Sequence, residues 1–323
     1  MHMLWVFTIK PDGRMKARLC VQGSADKEKK DILSASPTLT RESFRTCIFL
    51  IVQNQWELLT GDVPQAFLKA DEEFWQREVY VMPPAMMGYD RDVIFRLLKP
   101  VYGLVDAPLQ WWVTVQDWMN RHGLRRSVFD PTVFTLNNPE TGQLKGIVGV
   151  AVDDTIWGGD KDMQKIMHDF AVKFNIIEKG WDSAFGKNVK FLGHDVFQCT
   201  KTHEVEVDQD HYIKENVKPV DLEPKRLKLP DDTLCTKPEI KLLQGSNGTN
   251  IWVIAQTRPD AAVQVSMTAG EIGSNPTLGT VRRLNKAVAC LRSRTMKIRY
   301  KRLGKTPSDF EILIFHEIGR AHV

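Results

Sequence analysis

The chain has 323 residues, 42% of them apolar and 26% charged, with a formal net charge of +4; this excludes a disordered or low-complexity protein and allows two or three subdomains around a sizeable core. Five cysteines, odd in number, far apart and never at C-x-x-C spacing, exclude a disulfide framework and a zinc module. The longest unbroken apolar run, Cys47 to Val52, has six residues, and Met1 to Lys10 carries no small-residue cleavage site, so no membrane contact is expected and an intracellular location is.

In chain order, residues 5 to 10 and 15 to 21 read as two strands joined by the turn Pro11-Asp12-Gly13. Lys16 and Arg18 alternate with Met15, Ala17 and Leu19, so both cations leave one strand face, where they suit either a triphosphate or plain solvation. A charged surface excursion covers residues 24 to 38. A helix is predicted from Thr40, with Phe44, Cys47, Ile48, Ile51 and Val52 facing a core. Trp56 to Leu59 is read as a buried strand that delivers Asp62 at its end, followed by Pro64, Gln65 and Phe67; a lone aspartate there also suits a helix cap.

Strands are predicted at 77 to 82, 93 to 97 and 128 to 136, with an amphipathic helix between the last two carrying Trp111, Trp112, Val115, Trp118 and Met119. Gly146 to Gly159 reads as a tight hairpin with Asp153-Asp154 at its tip. Two adjacent anions on a rigid turn, joined by a third carboxylate, call for a cation; alone, the pair merely fills a turn. A helix follows at 163 to 174. Gly180 to Asn188 is not a P-loop, because five residues separate its glycines and Asn188 stands where Ser or Thr is needed.

Residues 189 to 196 and 204 to 207 are read as the two arms of a hairpin, and His194, His203 and His211, which lack metal-ligand spacing, as ordinary surface or hinge residues. Between 216 and 250, four prolines and many charges break every periodicity and predict a linker or loosely packed subdomain. Ala261 to Ala269 is predicted helical. From Gly273 to Ser308 there is no acidic residue but ten Lys and Arg, Arg282, Arg283 and Lys286 among them, which suggests contact with a phosphate backbone; a solvated helix face would normally interleave glutamates.

Taken together, the ordered series Lys16-Ala17-Arg18-Leu19, Ser36-Pro37-Thr38, Gly61-Asp62-Val63-Pro64-Gln65-Ala66-Phe67-Leu68, Tyr80-Val81-Met82-Pro83-Pro84, Val101-Tyr102-Gly103-Leu104, Ala107-Pro108, Trp111, Val152-Asp153-Asp154, Phe191-Leu192-Gly193 and Thr257-Arg258-Pro259-Asp260 resembles the reverse transcriptase domain of Ty1/copia-type long-terminal-repeat retrotransposon polyproteins. The resemblance implies an α+β right-hand polymerase: fingers and palm, interleaved and with an antiparallel palm sheet, over 1 to 205, then a thumb and the start of a connection to a missing RNase H domain over 206 to 305. It implies Asp62, Asp153 and Asp154 as catalytic carboxylates for two magnesium ions, with manganese as a substitute. By the same likeness Phe67 excludes a ribose 2′-hydroxyl, Lys16 and Arg18 meet the triphosphate, and Tyr102 and Gly103 lie where template and incoming base are held. Phe191, Leu192 and Gly193 correspond to a primer-grip hairpin.

The implied partners are dNTPs, an RNA or DNA primer-template and other parts of a polyprotein. The chain departs from that pattern at Ala151, where most of the family has an aromatic residue, at Val105-Asp106, where Lys-Gln is common, and at Leu109, which replaces the usual Arg. Residues 306 to 323 read as a truncated tail, and Glu317 to Val323 as the translation of a sequencing adapter rather than native sequence. The competing reading is a degenerate transposon-derived fragment that binds nucleic acid without catalysis.

Overall fold

The computed structural model describes residues 1–9, 13–176 and 180–304; the predicted turn at Pro11-Asp12 and the tail after residue 304 lie outside them. The chain is a mixed α+β protein that divides into two compact units, one of residues 1–47 and 57–195, the other of 48–56 and 196–323.

The first unit opens with an antiparallel ribbon of β1 (Met3–Ile9) and β2 (Met15–Val21), in which Thr8 faces Lys16 and Val6 faces Arg18. Then come α1 (Arg41–Gln53), within which the unit boundary falls, and β3 (Leu59–Asp62). The Ser43 backbone N–H donates to Thr40 Oγ1 at the entry of α1, as a capping residue should arrange. A short pair, β4 (Val79–Val81) with β5 (Phe95–Leu97), precedes α2 (Ala107–Arg121). Next are β6 (Arg125–Arg126), β7 (Val133–Asn137), β8 (Leu144–Ala151), β9 (Asp154–Gly159), α3 (Lys161–Lys173), β10 (Asp182–Ser183), β11 (Asn188–Phe191) and β12 (His194–Gln198), within which the second unit boundary falls. Six of these strands form one sheet in the order β10-β3-β9-β8-β7-β6, antiparallel throughout.

One face of that sheet is covered by α2 and α3. Trp111, Val115, Trp118 and Met119 from α2 meet Met163, Met167, Phe170 and Phe174 over Phe134, Val148, Val150 and Trp157, so the two amphipathic stripes read from sequence close on a single core. Gly61 has a packing reason: a β-carbon there would lie 2.5 Å from the Trp181 ring.

Three strand predictions shift. The strand expected over Trp56 to Leu59 starts only at Leu59, as β3. The strand predicted at 128 to 136 begins only at Val133, and Phe129 is 96% exposed. The cause is Asp130, whose carboxylate accepts from the Thr132 N–H (2.9 Å) and Oγ1 (2.6 Å) and from Thr40 Oγ1 (2.9 Å), holding a turn that joins the start of α1 to the sheet. The arm predicted at 189 to 196 is itself a hairpin, because Leu192 (φ 47°) and Gly193 (φ 74°) both take the left-handed backbone of a tight two-residue turn.

The departure at Asp106 has a structural partner. Arg77 donates to Asp106 (3.1 Å), Asp26 (2.7 Å) and Glu28 (3.2 Å), and Asp106 is fully buried. A carboxylate here therefore belongs to a buried ion cluster that ties the 24–38 excursion to the head of α2.

In the second unit β13 (Val205–Asp208) pairs with β14 (Ile298–Tyr300). Between them lie α4 (Asp210–Asn216), α5 (Pro224–Leu227), α6 (Lys237–Gln256), α7 (Ala262–Ile272) and α8 (Leu278–Ser293). The linker predicted at 216 to 250 is corrected: its second half opens a twenty-residue helix. Thr236 and Glu239 form a capping box at its start, Arg226 grips Glu239 with two hydrogen bonds (2.8 and 2.9 Å), and Val220 and Leu243 pack on Ile272, Val281 and Leu284. Capping and burial override the weak local propensity of Gly245, Asn247 and Gly248. Arg258, fully buried, donates to both Asp260 carboxylate oxygens (2.9 Å each) and to the carbonyls of Leu291 and Arg294 (2.8 Å each), locking the end of α8.

Candidate active site

The turn between β8 and β9 contains two residues, Val152 and Asp153, closed by the pair Ala151 and Asp154. Val152 has φ 59°, a conformation that a β-branched side chain disfavours and that costs about 1–3 kcal/mol. Both peptide groups flanking Asp153 are held. The Trp111 indole N–H donates to the Val152 carbonyl (2.6 Å), and the Val63 N–H donates to the Asp153 carbonyl (2.8 Å). On the neighbouring strand Asp62 is the register partner of Asp154, so the three aspartates converge at one end of the sheet.

Asp62 and Asp153 face a cavity of about 480 Å³, which Lys16, Arg18, Gln65 and Tyr102 also line. Both cations of β2 thus border the same cavity as the carboxylates, together with Ala17 and Leu19 between and after them. Burial raises the Asp153 carboxyl above its ordinary range and the charge of Asp62 adds to this, while Arg18 and Lys16 oppose it. Burial likewise raises the Tyr102 phenol, with Asp153 contributing. The Arg18 guanidinium lies 5.5 Å from the Tyr102 ring centroid, and Phe67 packs on the same ring at 5.0 Å. Phe67 is not among the residues lining the cavity; it stands behind Tyr102, partly buried between two apolar clusters. Gly103 (φ 95°) lets the chain press against β2, where a β-carbon would fall 2.0 Å from the Val21 carbonyl oxygen.

Asp154 opens instead on a second, smaller cavity of about 160 Å³, shared with Asp62, Asp182, Lys190 and Phe191. Asp62 alone of the three aspartates borders both spaces. Phe191 is buried and stacks on Phe44 at 5.4 Å, leaving Gly193 exposed and Leu192 half-buried at the hairpin tip. His194 corrects the reading of surface histidines: it is buried, tilted on Phe44 at 5.0 Å, with Nδ1 3.2 Å from the Phe191 carbonyl.

In the second unit the basic tract finds acids supplied by other segments. Arg282 pairs with Asp231 and donates to the carbonyls of Leu227 and Leu229 (2.9 Å each); Arg283 pairs with Glu271; Lys297 and Arg299 both pair with Glu206. The inference drawn from an absence of interleaved glutamates thus does not carry into three dimensions. Lys286 is exposed. A cavity of about 540 Å³ is lined by three further cations, Lys214, Lys218 and Arg292, and among the described residues no acidic one lines it.

The donor set suits a hard divalent cation, because Asp62 and Asp153 turn carboxylate oxygens into one cavity and magnesium is commonly held by one or two carboxylates together with substrate phosphates. Among the described residues no three His, Cys, Asp or Glu side chains are gathered closely enough to form a metal cage by themselves. Sequence reasoning missed two participants. Gln65 lines the larger cavity from a left-handed backbone conformation (φ 56°), and Trp111, read only as part of a core stripe and a motif, also holds the Asp153 turn.

No helix among the described residues is long and apolar enough to cross a membrane. The chain is 28% identical over 292 residues to the retrovirus-related Pol polyprotein from transposon TNT 1-94 of Nicotiana tabacum, a match covering 82% of this chain and 21% of that protein. It is 32% identical over 164 residues to the Pol polyprotein from transposon RE2 of Arabidopsis thaliana, covering 48% and 11%. It is 28% identical over 119 residues to the transposon Ty1-BL Gag-Pol polyprotein of Saccharomyces cerevisiae, covering 36% and 7%. The chain thus spans about a fifth or less of the length of these relatives. Among solved structures it is similar to a foamy viral protease-reverse transcriptase in complex with dsDNA, at 14% identity and a TM-score of 0.42, covering 90% of this chain and 52% of that one. The family model described as reverse transcriptase (RNA-dependent DNA polymerase) matches residues 1–228. The chain belongs to the reverse transcriptase family, and its relatives are Ty1/copia-type retrotransposon Pol polyproteins.

Proposed function

We propose that the chain is a working DNA polymerase domain of a copia-like retrotransposon polyprotein, joining dNTPs to a primer 3′-hydroxyl on an RNA or DNA template. The observation that carries this reading is the shared cavity: two carboxylates, Asp62 and Asp153, face two cations, Lys16 and Arg18, across a space of nucleotide size. In this reading residues 1 to 205 serve as fingers and palm, and the later helices as thumb and connection.

Asp62 and Asp153, with Asp154 beside them, would hold two magnesium ions, which supply charge neutralisation at the attacking and leaving oxygens of an in-line displacement. Lys16 and Arg18 bind the triphosphate and orient its leaving group. Tyr102, backed by Phe67 and approached by Arg18, gives the base and sugar a firm wall, so that Phe67 acts on ribose discrimination through Tyr102. Leu192 and Gly193 approach the primer from the hairpin tip next to the smaller cavity.

The test is primer extension by the purified chain with dNTPs and Mg²⁺ on RNA and DNA templates. Extension that Asp153→Asn abolishes is the expected result. If the parent extends nothing while still binding primer-template, the nucleic-acid-binding fragment replaces the polymerase. Extension by Asp153→Asn equal to the parent's removes this site from the chemistry.

A further inference from the structure

Val152 is the one residue of the Asp153 turn whose backbone is held in a conformation its own side chain opposes. Strain of this kind persists only where the surroundings impose it. The two-residue turn closed by Ala151 and Asp154 calls for a positive φ at its first position, and two hydrogen bonds hold the turn there, one on each peptide group next to Asp153: from Trp111 Nε1 to the Val152 carbonyl at 2.6 Å, and from the Val63 N–H to the Asp153 carbonyl at 2.8 Å. The second is a main-chain contact from the residue just past the end of β3. The first comes from a side chain in the first turns of α2, forty-one residues away in sequence.

We propose that Trp111 is a positioning residue for the candidate active site, its indole N–H fixing the Val152–Asp153 peptide plane so that the Asp153 carboxylate is aimed into the cavity it shares with Asp62. The proposal rests on the polymerase reading for its consequence in catalysis, but its geometry stands apart from that reading.

Three observations separate this role from core filling. Trp111 is 1% exposed and its ring meets Phe174 edge-on at 5.1 Å, so the ring is already anchored and the N–H arrives at the turn from a fixed base. Trp118, one helical repeat on, is buried in the same core against Phe170 (5.0 Å) without a bond to the turn. Trp112 and Trp157 leave their buried indole nitrogens without a hydrogen-bond partner, so a paired indole N–H is not a general property of this core. The arrangement also aids cation binding. Asp153 is half-buried beside a like charge, an orientation that a free turn would relax by swinging the carboxylate outward. The indole N–H removes that freedom.

The test compares Trp111→Phe with Trp118→Phe in the full chain, using Mn²⁺ binding followed by electron paramagnetic resonance without primer or dNTP, beside dNTP-dependent extension kinetics. Trp111→Phe keeps an aromatic ring in the core while deleting the donor together with the volume of the pyrrole ring, and Trp118→Phe controls for that volume at a second buried tryptophan. It is expected to weaken Mn²⁺ binding about tenfold, as for the loss of one buried hydrogen bond, and to lower kcat with little change in the dNTP KM. Trp118→Phe is expected to lower the melting temperature without changing Mn²⁺ affinity. Equal Mn²⁺ affinity in parent and Trp111→Phe overturns the proposal, as does an equal loss in both variants.

Should Trp111→Phe fail to fold, the parent labelled with ¹⁵N at its indoles gives the answer. Mn²⁺ must then broaden the Trp111 indole resonance and slow its hydrogen exchange while sparing the exchange of Trp118; unchanged Trp111 exchange overturns the pin. A parent that binds Mn²⁺ and responds to Trp111→Phe but extends no primer keeps the pin and loses the polymerase.

Discussion

Asp62 and Asp154 are register partners at the ends of β3 and β9, yet Asp62 shares the larger cavity with Asp153 and the smaller one with Asp154. The two consecutive aspartates are therefore not equivalent. Strand alternation sends Asp154 to one side of the pair, while the turn carries Asp153 to the other, beneath Lys16 and Arg18.

The first prediction concerns Asp153. Burial and the charge of Asp62 raise its folded pKa above the unfolded carboxylate value, so the folded chain holds a proton that the unfolded chain has released. Stability from this group is complete below the unfolded carboxylate pKa and is lost as pH rises from there through the raised folded one. Asp153→Asn should remove that fall and leave the melting temperature at pH 7 equal to or above the parent's. Differential scanning calorimetry from pH 4 to pH 8 without divalent cations checks it, and a clear drop in melting temperature at pH 7 would refute it.

The second prediction has the opposite sign. Burial opposes ionisation of Asp130, but hydrogen bonds from Ser43, Thr132 and the backbone prevail and bring its pKa down to about 2. Glu239 is brought to about 2 by the Arg226 hydrogen bond, against burial and with Thr236 helping. Each contributes stability that is complete above its unfolded pKa, near 4, and is lost as pH falls toward 2, about 2 to 3 kcal/mol apiece. Asp130→Asn should flatten the acid limb reported by the first unit's tryptophans, and Glu239→Gln the limb reported by Trp252. Unaltered acid midpoints in both variants would contradict it.

A third prediction tests why α6 escapes a reading by propensity. Gly245 and Gly248 sit inside the helix, and a β-carbon added at either would meet no atom within 4 Å. Neither close approach nor positive φ calls for glycine, so each Gly→Ala should stabilise by about 0.4 to 1 kcal/mol. Urea unfolding of the single and double variants reads this directly; destabilisation by either single change would show that the glycines serve contacts outside the helix.

What the sequence made legible follows the period of its patterns. The stripe from Trp111 to Met119, the one from Met163 to Phe174 and the β8–β9 hairpin are strong local signals, and all of them close on one core. Lys16 and Arg18 do border one cavity, but Ala17 and Leu19 line it too, so strand alternation alone does not account for their meeting there. Family likeness, rather than periodicity, joined Asp62 to Asp153 and Asp154, because the contact spans about ninety residues and no local signal encodes it. The long helix α6 was hidden because its stability comes from Thr236, Arg226 and Leu243 instead of propensity. Trp111 was hidden because a hydrogen bond from a core indole to a turn carbonyl leaves no pattern in the sequence. The ion pairs of the basic tract were hidden for the converse reason: its acidic partners Glu206, Asp231 and Glu271 lie before it in sequence and meet it only in the fold.

That last point yields the fourth prediction. Arg282 and Arg283 are committed within the fold, Arg282 to Asp231 and two carbonyls, Arg283 to Glu271. Lys214 and Lys218 are exposed and line a cavity beside Arg292 in which no described residue is acidic, and Lys286 is exposed too, so these cations are open to phosphate. Binding of a primer-template duplex, measured by fluorescence anisotropy between about 50 and 200 mM salt, should weaken for Lys214→Ala and Lys218→Ala. The salt slope should fall by roughly 0.9 for each phosphate contact removed. Lys286→Ala should behave likewise. Arg282→Ala should instead lower the melting temperature, by freeing the 227–231 segment and leaving Asp231 unpaired, with the salt slope unchanged. A slope that drops for Arg282→Ala and holds for Lys214→Ala and Lys218→Ala would return the nucleic-acid contact to the face of α8 first read from the sequence.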